Sequence, residues 1–426
     1  MARTLFRNCR VWDGSGAASY PADVLVDGAR VAAVARTRGE LDPAGAEVLE
    51  AGGMTLMPGL VEGHAHLSFG NAVQTTDLGD LPPEEHILLT AQNAKTLLDH
   101  GFTGAYSAAS AKLRLDIVIR NEIEAGRLPG PRLKACGPEI TVTGGLGDER
   151  QVHQYRESFA VLADGEAEIV KWARLCCREG ADSIKLNISG DDFYHAAKGE
   201  MTVMSEPEIR AGVAVARDFH RKVNAHCRAA ESVKRAVRCG VDVIYHCEHA
   251  DAQALDLLEA EKHRVFCGPA IGLPYTVREG VAALGADADP KVRALIERSF
   301  EAAVRTYQEM RRRGIRVVIG GDYGFDQTPQ GSNARDIEHF VRLFGYSPGE
   351  ALVCATRIGV ELMELGHELG QVREGYLADL LLVDGDPTAD VAMLQRSERL
   401  IGIFKGGAAH KLDRAALARR PAHAAE

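Results

Sequence analysis

The chain has 426 residues, of which 46% are hydrophobic and 26% charged, a composition typical of a soluble globular protein. This length accommodates a large barrel with a small second domain. The net charge of -10 argues against nucleic acid as a partner, because phosphate binding requires a basic surface. Apolar runs long enough to span a membrane are lacking, so no membrane partner is expected.

The nine cysteines are scattered along the chain and form no CxxC pair. The N-terminal stretch MARTLFRNCRVWDGSG lacks the apolar run of a secretory signal. Scattered cysteines inside apolar runs are typical of reduced, buried thiols. We therefore predict a cytoplasmic protein.

Both ends of the chain have the pattern of short strands joined by Gly/Asp turns. The N-terminal strands lie in TLFRNCRVWDGSG, ADVLVDGARVAAVA and AEVLEAGGMTLMPG, and the C-terminal strands in YLADLLLVDGDP and LIGIFKGGAAHKL. Neither end can bury a sheet face alone. We therefore predict that residues 1–57 and 369–426 form one composite β-sandwich domain.

The middle of the chain alternates apolar strand patterns with amphipathic helix patterns. After the strand that ends at His64, the predicted strands are 102–109, 132–140, 183–189, 222–227, 241–247, 263–270 and 316–323. Eight such units predict an α/β fold, a (β/α)8 TIM barrel over residues 58–368. The alternative, a doubly wound open sheet, would be expected to carry an early GxGxxG loop, and no such loop follows a strand here.

Polar side chains close several of the predicted barrel strands. They are His64, His66, Lys185, His226, His246 and Asp322. Because the C-terminal ends of barrel strands meet at one face, these six side chains are expected to converge there. Imidazole nitrogens and carboxylates are ligands that suit zinc and similar metals. The pattern predicts a metal site.

Most members of this set also have a simpler interpretation. The two histidines of the first strand fit a turn, and His226 fits a hydrogen-bonded core position. His249 is an alternative ligand to His246, although His246 directly continues the strand while His249 follows in the loop. Asp322 fits a helix N-cap. The order of all six along the strands favours metal ligands over these separate alternatives.

Lys185 lies inside the apolar strand SIKLNIS, where a free ammonium group would be costly to bury. Reaction of its amine with carbon dioxide would give a carbamate. That group is anionic and can bridge two cations. Carboxylation is thus one reason for a lysine at this position.

At these positions the chain resembles the amidohydrolase superfamily. The matching stretches, in family order, are MPGLVEGHAHL, SIKLNISG, NAHC, VIYHCEHAD, VVIGGDYG and GYLADLLLVDGDP. The resemblance covers nearly the whole chain. It implies a barrel enzyme that cleaves a small molecule.

The resemblance also implies two divalent metal ions, expected to be Zn²⁺, and a mechanism. One metal would be held by His64, His66 and Asp322, the other by His226 and His246, with carboxylated Lys185 between them. A metal-bridging hydroxide would attack the substrate, and Asp322 would move its proton to the leaving group. Deaminases of this superfamily usually lack the lysine, so its presence favours hydrolysis.

Within the superfamily the chain is most similar to Xaa-Pro and Xaa-Arg dipeptidases and to ochratoxin-type amide hydrolases, but it departs from their pattern. Leu146 replaces a histidine that stabilises the oxyanion, and His153 is a candidate substitute. Arg228 stands where that branch often has a tyrosine that helps to hold a substrate carboxylate. It would grip a carboxylate or another anion, or be a solvated helix-start residue. Glu231 replaces an arginine. A plain dipeptide substrate is therefore not indicated.

Further side chains near the strand ends are candidate substrate contacts. Tyr245 and His249 flank the ligand of the sixth strand, and Tyr106 belongs to the second strand. Tyr194 and His195 follow the fourth strand in the loop. With Arg228 and the position of Leu146, these residues complete the predicted substrate site.

The sequence thus predicts a binuclear metal-dependent hydrolase that cleaves an amide-like C–N bond of a small molecule. The alternatives are a heterocycle deaminase, a carbamate, urea, ester or lactam hydrolase of the same superfamily, and a non-catalytic barrel. By family analogy alone we expect a homo-oligomer.

Overall fold

The computed structural model describes residues 3–153, 156–192 and 196–419 of the chain. The strands in chain order are β1 (Arg3–Val11), β2 (Tyr20–Asp27), β3 (Arg30–Ala35), β4 (Glu47–Glu50), β5 (Thr55–Pro58), β6 (Leu60–Ala65), β7 (Phe102–Ser107), β8 (Arg132–Lys134), β9 (Cys136–Thr141), β10 (Ala160–Leu162), β11 (Ser183–Asn187), β12 (Lys222–Cys227), β13 (Val243–His246), β14 (Phe266–Gly268), β15 (Leu380–Val383), β16 (Leu400–Lys405) and β17 (Ala408–Leu412).

The α-helices are α1 (Pro83–Asp99), α2 (Leu115–Glu124), α3 (Gly165–Glu179), α4 (Glu206–Asp218), α5 (Ala230–Cys239), α6 (Ala252–Ala260), α7 (Gly272–Ala283), α8 (Pro290–Arg313), α9 (Arg335–Arg342), α10 (Pro348–Val353), α11 (Gly359–Leu362) and α12 (Arg414–Ala418). Helices α3, α5 and α8 each end at a glycine with positive φ, namely Gly180, Gly240 and Gly314. Glycine adopts this left-handed conformation without a Cβ penalty, so the chain can turn back sharply toward the next strand.

Both ends of the chain contribute strands to one sheet. Its order is β17-β16-β15-β5-β1-β2-β3, and β4 also pairs with β1. The two ends join where β15 runs antiparallel to β5, with Leu382 opposite Leu56. Both leucines are fully buried in the core of this domain. The strands of each terminus therefore need those of the other terminus to bury their apolar side chains. The β-rich domain built from both termini is confirmed, and its boundaries at residues 57/58 and 368/369 stay predictions.

The middle of the chain forms the barrel. Strands β6-β7-β8 and strands β10-β9-β11-β12-β13-β14 are two parallel sheets. They are joined on one side because β8 and β9 are consecutive, and Ser110 N donates to Gly137 O at 2.9 Å. On the other side a parallel bridge links Cys267 to Val317, and Gly63 N donates to Ile319 O at 2.9 Å. The predicted (β/α)8 barrel is confirmed.

The eighth barrel strand is shorter than the sequence predicts. The stretch 316–323 pairs only through the bridge at Val317 and the hydrogen bond to Ile319. After Ile319 the chain leaves the extended conformation, with φ of 154° at Gly320 and 62° at Asp322. The direction of the Asp322 side chain is therefore set by this turn and not by the alternation of an extended strand.

All nine cysteines are buried and none forms a disulfide. In the part of the chain that the structure describes, no helix has the length and apolar character needed to cross a membrane.

His339 on α9 is a buried histidine whose protonation should destabilise the fold in acid. Its ring centroid lies 4.3 Å from that of Tyr275, and burial, reinforced by Arg335 and Arg342, lowers its pKa from 6.5 to about 3. The unfolded chain binds this proton below pH 6.5, whereas the native protein does so only near pH 3. We therefore expect His339 to reduce the free energy of unfolding by about 2 kcal/mol on going from about pH 7.5 to 5.

Urea denaturation of the parent and of His339→Gln at both pH values checks this expectation. The variant should lose about 2 kcal/mol less than the parent over this pH range, because glutamine has no proton to gain. An equal loss in both proteins would show that His339 does not contribute.

Candidate metal centre

The structure brings the six predicted ligands to one cavity at the C-terminal ends of the barrel strands. This cavity has a volume of about 390 Å³. The six side chains on its wall come from β6 and the residues after it, from β11, β12 and β13, and from the segment after the eighth strand: His64, His66, Lys185, His226, His246 and Asp322. Alternation along the extended strands accounts for the inward direction of His64, Lys185 and His226, whereas His246 and Asp322 have left-handed backbone conformations.

The ligand atoms lie close enough to share metal ions. Those of His64, His246 and Asp322 all lie within 4.8 Å of one another. His66 Nε2 lies 3.3 Å from Asp322 Oδ1, and the rings of His226 and His246 have centroids 4.3 Å apart. His246, not His249, is therefore the sixth-strand histidine in the cluster. The geometry groups it with His64 and Asp322 as well as with His226.

The histidine rings are oriented by backbone carbonyl groups. His66 Nδ1 lies 3.1 Å from Ala109 O and His226 Nε2 lies 2.9 Å from Gly190 O, so these nitrogens donate and the opposite ring nitrogens are left for a cation. In His64 and His246 the buried Nδ1 atom has no hydrogen-bond partner among the described residues. Buried imidazole nitrogens without partners fit a metal-binding role.

The electrostatics of the cluster also fit metal binding. Burial lowers the pKa of His64, His226 and His246 well below 6.5, so their imidazoles are neutral, which is the form that ligates metals. Burial alone would raise the pKa of Asp322. His64, His66 and Lys185 outweigh it, and the pKa falls below its usual value. Asp322 is therefore a carboxylate at neutral pH.

Two of the candidate ligands have an unfavourable backbone conformation. His246 has φ of 74° and Asp322 has φ of 62°, in the left-handed region that non-glycine residues rarely adopt. Asp336 stabilises the backbone around Asp322, because its carboxylate accepts from Gly320 N at 3.2 Å and from Tyr323 OH at 2.9 Å. Such strain, retained by surrounding hydrogen bonds, is typical of functional sites.

Glu62 is a supporting residue that the sequence analysis missed. Its Oε1 accepts from His64 N at 3.0 Å, and Asn333 Nδ2 donates to its Oε2 at 2.9 Å. Burial and the neighbouring Asp336 carboxylate raise the pKa of Glu62 to about 8. Its position two residues before His64, on the same strand face, was the available signal.

Lys185 and Tyr245 meet at the floor of the cavity. Lys185 Nζ lies 4.7 Å from the centroid of the Tyr245 ring, and that ring stacks on His64 at 3.9 Å between centroids. The Tyr245 hydroxyl donates to Gly63 O at 2.7 Å. Tyr245 is fully buried and is not among the described residues that line the cavity. The carbamate on Lys185 stays a prediction.

The position of Arg228 matches neither a grip on a substrate carboxylate nor a solvated helix-start residue, the two alternatives that the sequence left open. It is only 3% exposed, so the interpretation as a solvated helix-start residue is wrong. Its Nε donates to Asp191, which lines the cavity, at 2.7 Å, and its Nη1 donates to Glu248. Glu231 is half exposed on α5 and pairs with Arg235. The guanidinium of Arg228 is thus engaged by two carboxylates and is not brought to the cavity.

The remaining predicted substrate contacts are scattered. Leu146 lines the cavity, as expected for the residue at the oxyanion position. Tyr106 is buried in the barrel interior beside Val318, and His249 lines a separate cavity with Glu248. His153 is exposed and is not one of the described residues that line the metal cavity. Tyr194 and His195 lie outside the described residues.

Two kinds of cavity residue were missed. Glu139 in β9 pairs in register with Lys185, lines the cavity, and accepts from Asn187 Nδ2 at 2.5 Å. Phe69 stacks on His66 with 4.1 Å between ring centroids. Glu139 closes the third strand in the same way as the ligands close theirs, which was a usable signal. Phe69 carries no such signal, because an aromatic residue after a strand is common in any core.

The comparison with known families agrees with this fold and site. Residues 55–409 match the Amidohydrolase family. The chain belongs to this family, and it is a hydrolase whose barrel carries a group of residues that could hold a metal ion.

Particular relatives cover almost the whole chain. Ochratoxinase from Aspergillus niger is 24% identical over 374 residues, which are 83% of this chain and 75% of that protein. The crystal structure of a Xaa-Pro dipeptidase with bound methionine superposes with a TM-score of 0.84 at 26% identity, over 96% of this chain and 100% of that one. The structure of phenylurea hydrolase B gives a TM-score of 0.78 at 21% identity, with 99% of each chain covered.

Proposed function

We propose that this protein is a binuclear metal-dependent hydrolase that cleaves an amide-like C–N bond of a small molecule by attack of hydroxide. The observation that carries the proposal is the convergence of four histidines, one lysine and one aspartate on a single cavity. The likeness to a Xaa-Pro dipeptidase and to ochratoxinase supports a C–N bond as the target.

The ligand assignment is part of the proposal. Two divalent ions, expected to be Zn²⁺, would be held by His64, His66 and Asp322 and by His226 and His246, with Lys185 as a carbamate between them. The neutral imidazoles and the ionised Asp322 support this donor set. When bound, the two metals would lower the pKa of water toward 7 and polarise the scissile carbonyl.

The chain's own residues would orient the reaction and move the proton. Asp322 is ionised and lies beside His66, so its carboxylate can accept the nucleophile's proton and deliver it to the leaving nitrogen. Glu62 and Asp336 would act as positioning residues, since they hold His64 and the turn before Asp322. Leu146 cannot donate a hydrogen bond to an oxyanion, so that role would fall to the metals.

Other reactions of the same family are alternatives. The likeness to phenylurea hydrolase B favours a urea-like bond as a second candidate. Carbamate, ester and lactam hydrolysis, heterocycle deamination and a non-catalytic barrel are the remaining alternatives. Nine buried thiols support a reducing, cytoplasmic compartment, and a homo-oligomer that acts on a small molecule is part of the same proposal.

Metal analysis and a substrate panel test the proposed function. The purified protein should contain nearly two metal ions per chain, and it should hydrolyse at least one compound among N-acyl amino acids, dipeptides, anilides, ureas, carbamates and lactams. A chelator should abolish that activity, and Zn²⁺ should restore it, because the nucleophile depends on the metals. One metal with ammonia release would favour the deaminase, and two metals without turnover of any compound would favour the non-catalytic barrel.

A further inference from the structure

We infer that the active-site cavity selects a neutral substrate with an apolar, preferably aromatic, group and rejects substrates that carry a free carboxylate. This inference rests on the proposed function and narrows its substrate class. Three features of the cavity carry it: the charges on its wall, the burial of Arg228, and a cluster of aromatic side chains.

Outside the proposed metal centre, the charged side chains that line the cavity are mostly carboxylates. Besides the proposed ligand Asp322, the carboxylates on its wall are Glu139 and Asp326, together with Asp191, whose charge is balanced by Arg228. Among the described lining residues the only lysine or arginine is Lys185, which lies on the floor and is claimed by the proposed metal centre. Away from the proposed metal ions, a substrate carboxylate would therefore meet the carboxylates of Glu139 and Asp326 and, among the described lining residues, no lysine or arginine to pair with.

Glu139 is the strongest of these negative groups, because water screens it least. It is 5% exposed and it pairs in register with Lys185, which places it at the level of the ligands. Asn187 donates to one of its oxygens at 2.5 Å and also to Leu146 O at 3.0 Å, so the carboxylate is held in place. A fixed charge in a cavity with apolar walls acts more strongly than one at the surface.

Arg228 is not available to reverse this effect. Arg228 is 3% exposed, its guanidinium donates to Asp191 at 2.7 Å and to Glu248, and it is not among the described residues that line the cavity. Turning it toward a substrate would leave two buried carboxylates without their cation. The only arginine near the strand ends that the sequence offered as a carboxylate grip is therefore committed to the fold.

Another part of the wall is apolar. Phe69, Phe159 and Phe325 form an aromatic cluster in which Phe69 lies 6.0 Å from Phe159 and 5.8 Å from Phe325 between ring centroids. Phe69 also stacks on His66, so this cluster adjoins the metal ligands. Leu146, Leu273 and Val277 line the cavity as well. Such a wall suits a flat apolar group beside the scissile bond.

Paired ligands that differ only in charge test the inference on the metal-loaded, full-length protein. Benzohydroxamates chelate metal ions, and their binding can be measured by calorimetry without turnover. We expect 4-carboxybenzohydroxamate to bind at least about tenfold more weakly than its neutral isostere 4-carbamoylbenzohydroxamate, because of the like charges on the wall. In Glu139→Gln the ratio of the two dissociation constants, carboxylate compound to neutral compound, should fall at least about threefold. Asp326→Asn, at the exposed rim, should change the ratio less.

The outcomes separate this inference from the proposed function. Equal or tighter binding of the carboxylate compound by the parent protein would overturn the inference alone, as would an unchanged ratio in Glu139→Gln. If neither hydroxamate binds the protein in the presence of Zn²⁺, the cavity does not hold metal ions as proposed. The proposed function and the inference would then both be contradicted. In the turnover panel, amides of 4-aminobenzoate should be cleaved at least about tenfold more slowly than those of 4-aminobenzamide.

Discussion

Replacement of Asp322 by asparagine is expected to lower kcat/KM by about 10³-fold or more on whichever substrate the panel identifies. Asparagine keeps the size of the side chain but loses the negative charge that the surrounding histidines and Lys185 stabilise. It can neither accept a proton nor match the carboxylate as a ligand. Steady-state kinetics and metal analysis of Asp322→Asn measure both losses.

Asp218→Asn is the matched control for this variant. Asp218 is exposed at the end of α4, just before β12 begins, and therefore lies at the end of the barrel opposite the metal cavity. The same loss of charge there should leave kcat/KM within about twofold of the parent. Full activity and full metal content in Asp322→Asn would remove Asp322 from both proposed roles.

Replacement of Arg228 by methionine is expected to lower the free energy of unfolding by about 3 to 5 kcal/mol. The substitution removes the cation between Asp191 and Glu248 and leaves two buried carboxylates with like charge. Denaturation with urea, with metals present at constant concentration, measures this loss. Arg228 would instead be a substrate contact if the variant kept its stability and showed only a raised KM for carboxylate substrates.

Arg210→Met is the matched control for the stability measurement. Arg210 pairs with Glu206 one helical turn away, and its side chain is 53% exposed. Water screens such a pair, so its loss should change the free energy of unfolding by no more than about 0.5 kcal/mol. A similar loss in both variants would show that burial of the Arg228 ion pairs has no special weight.

The order of strands and ligands was predictable because both are local properties of the sequence. Alternating apolar runs predicted β12 with the bounds that the structure shows, and the polar residue that closes each run predicted which side chains face the cavity. The eighth strand was predicted too long. Its departure after Ile319 depends on Gly63 and Asp336 from elsewhere in the chain, which local periodicity does not report.

The choice between His246 and His249 shows how far local reasoning reaches. Continuity with the strand favoured His246, and the structure places its ring 4.3 Å from that of His226. His249 lies only three residues later, but a left-handed turn at His246 and Cys247 directs the chain to a different cavity. The sequence favoured the histidine that the structure places in the metal cavity, but it gave no sign of the turn that separates the two residues.

The sequence by itself determined the family, the barrel, the β-rich domain from both termini and the candidate ligand set, because each depends on residue type and spacing along the chain. Only the tertiary structure decided what surrounds the metal cavity. Glu139, Phe69 and Arg228 come from separate segments, and which of them faces the cavity depends on burial and on partners far away in sequence. The proposed preference for a neutral substrate depends on that arrangement, because the energy between two charges depends on nearby charges and on how much water screens them.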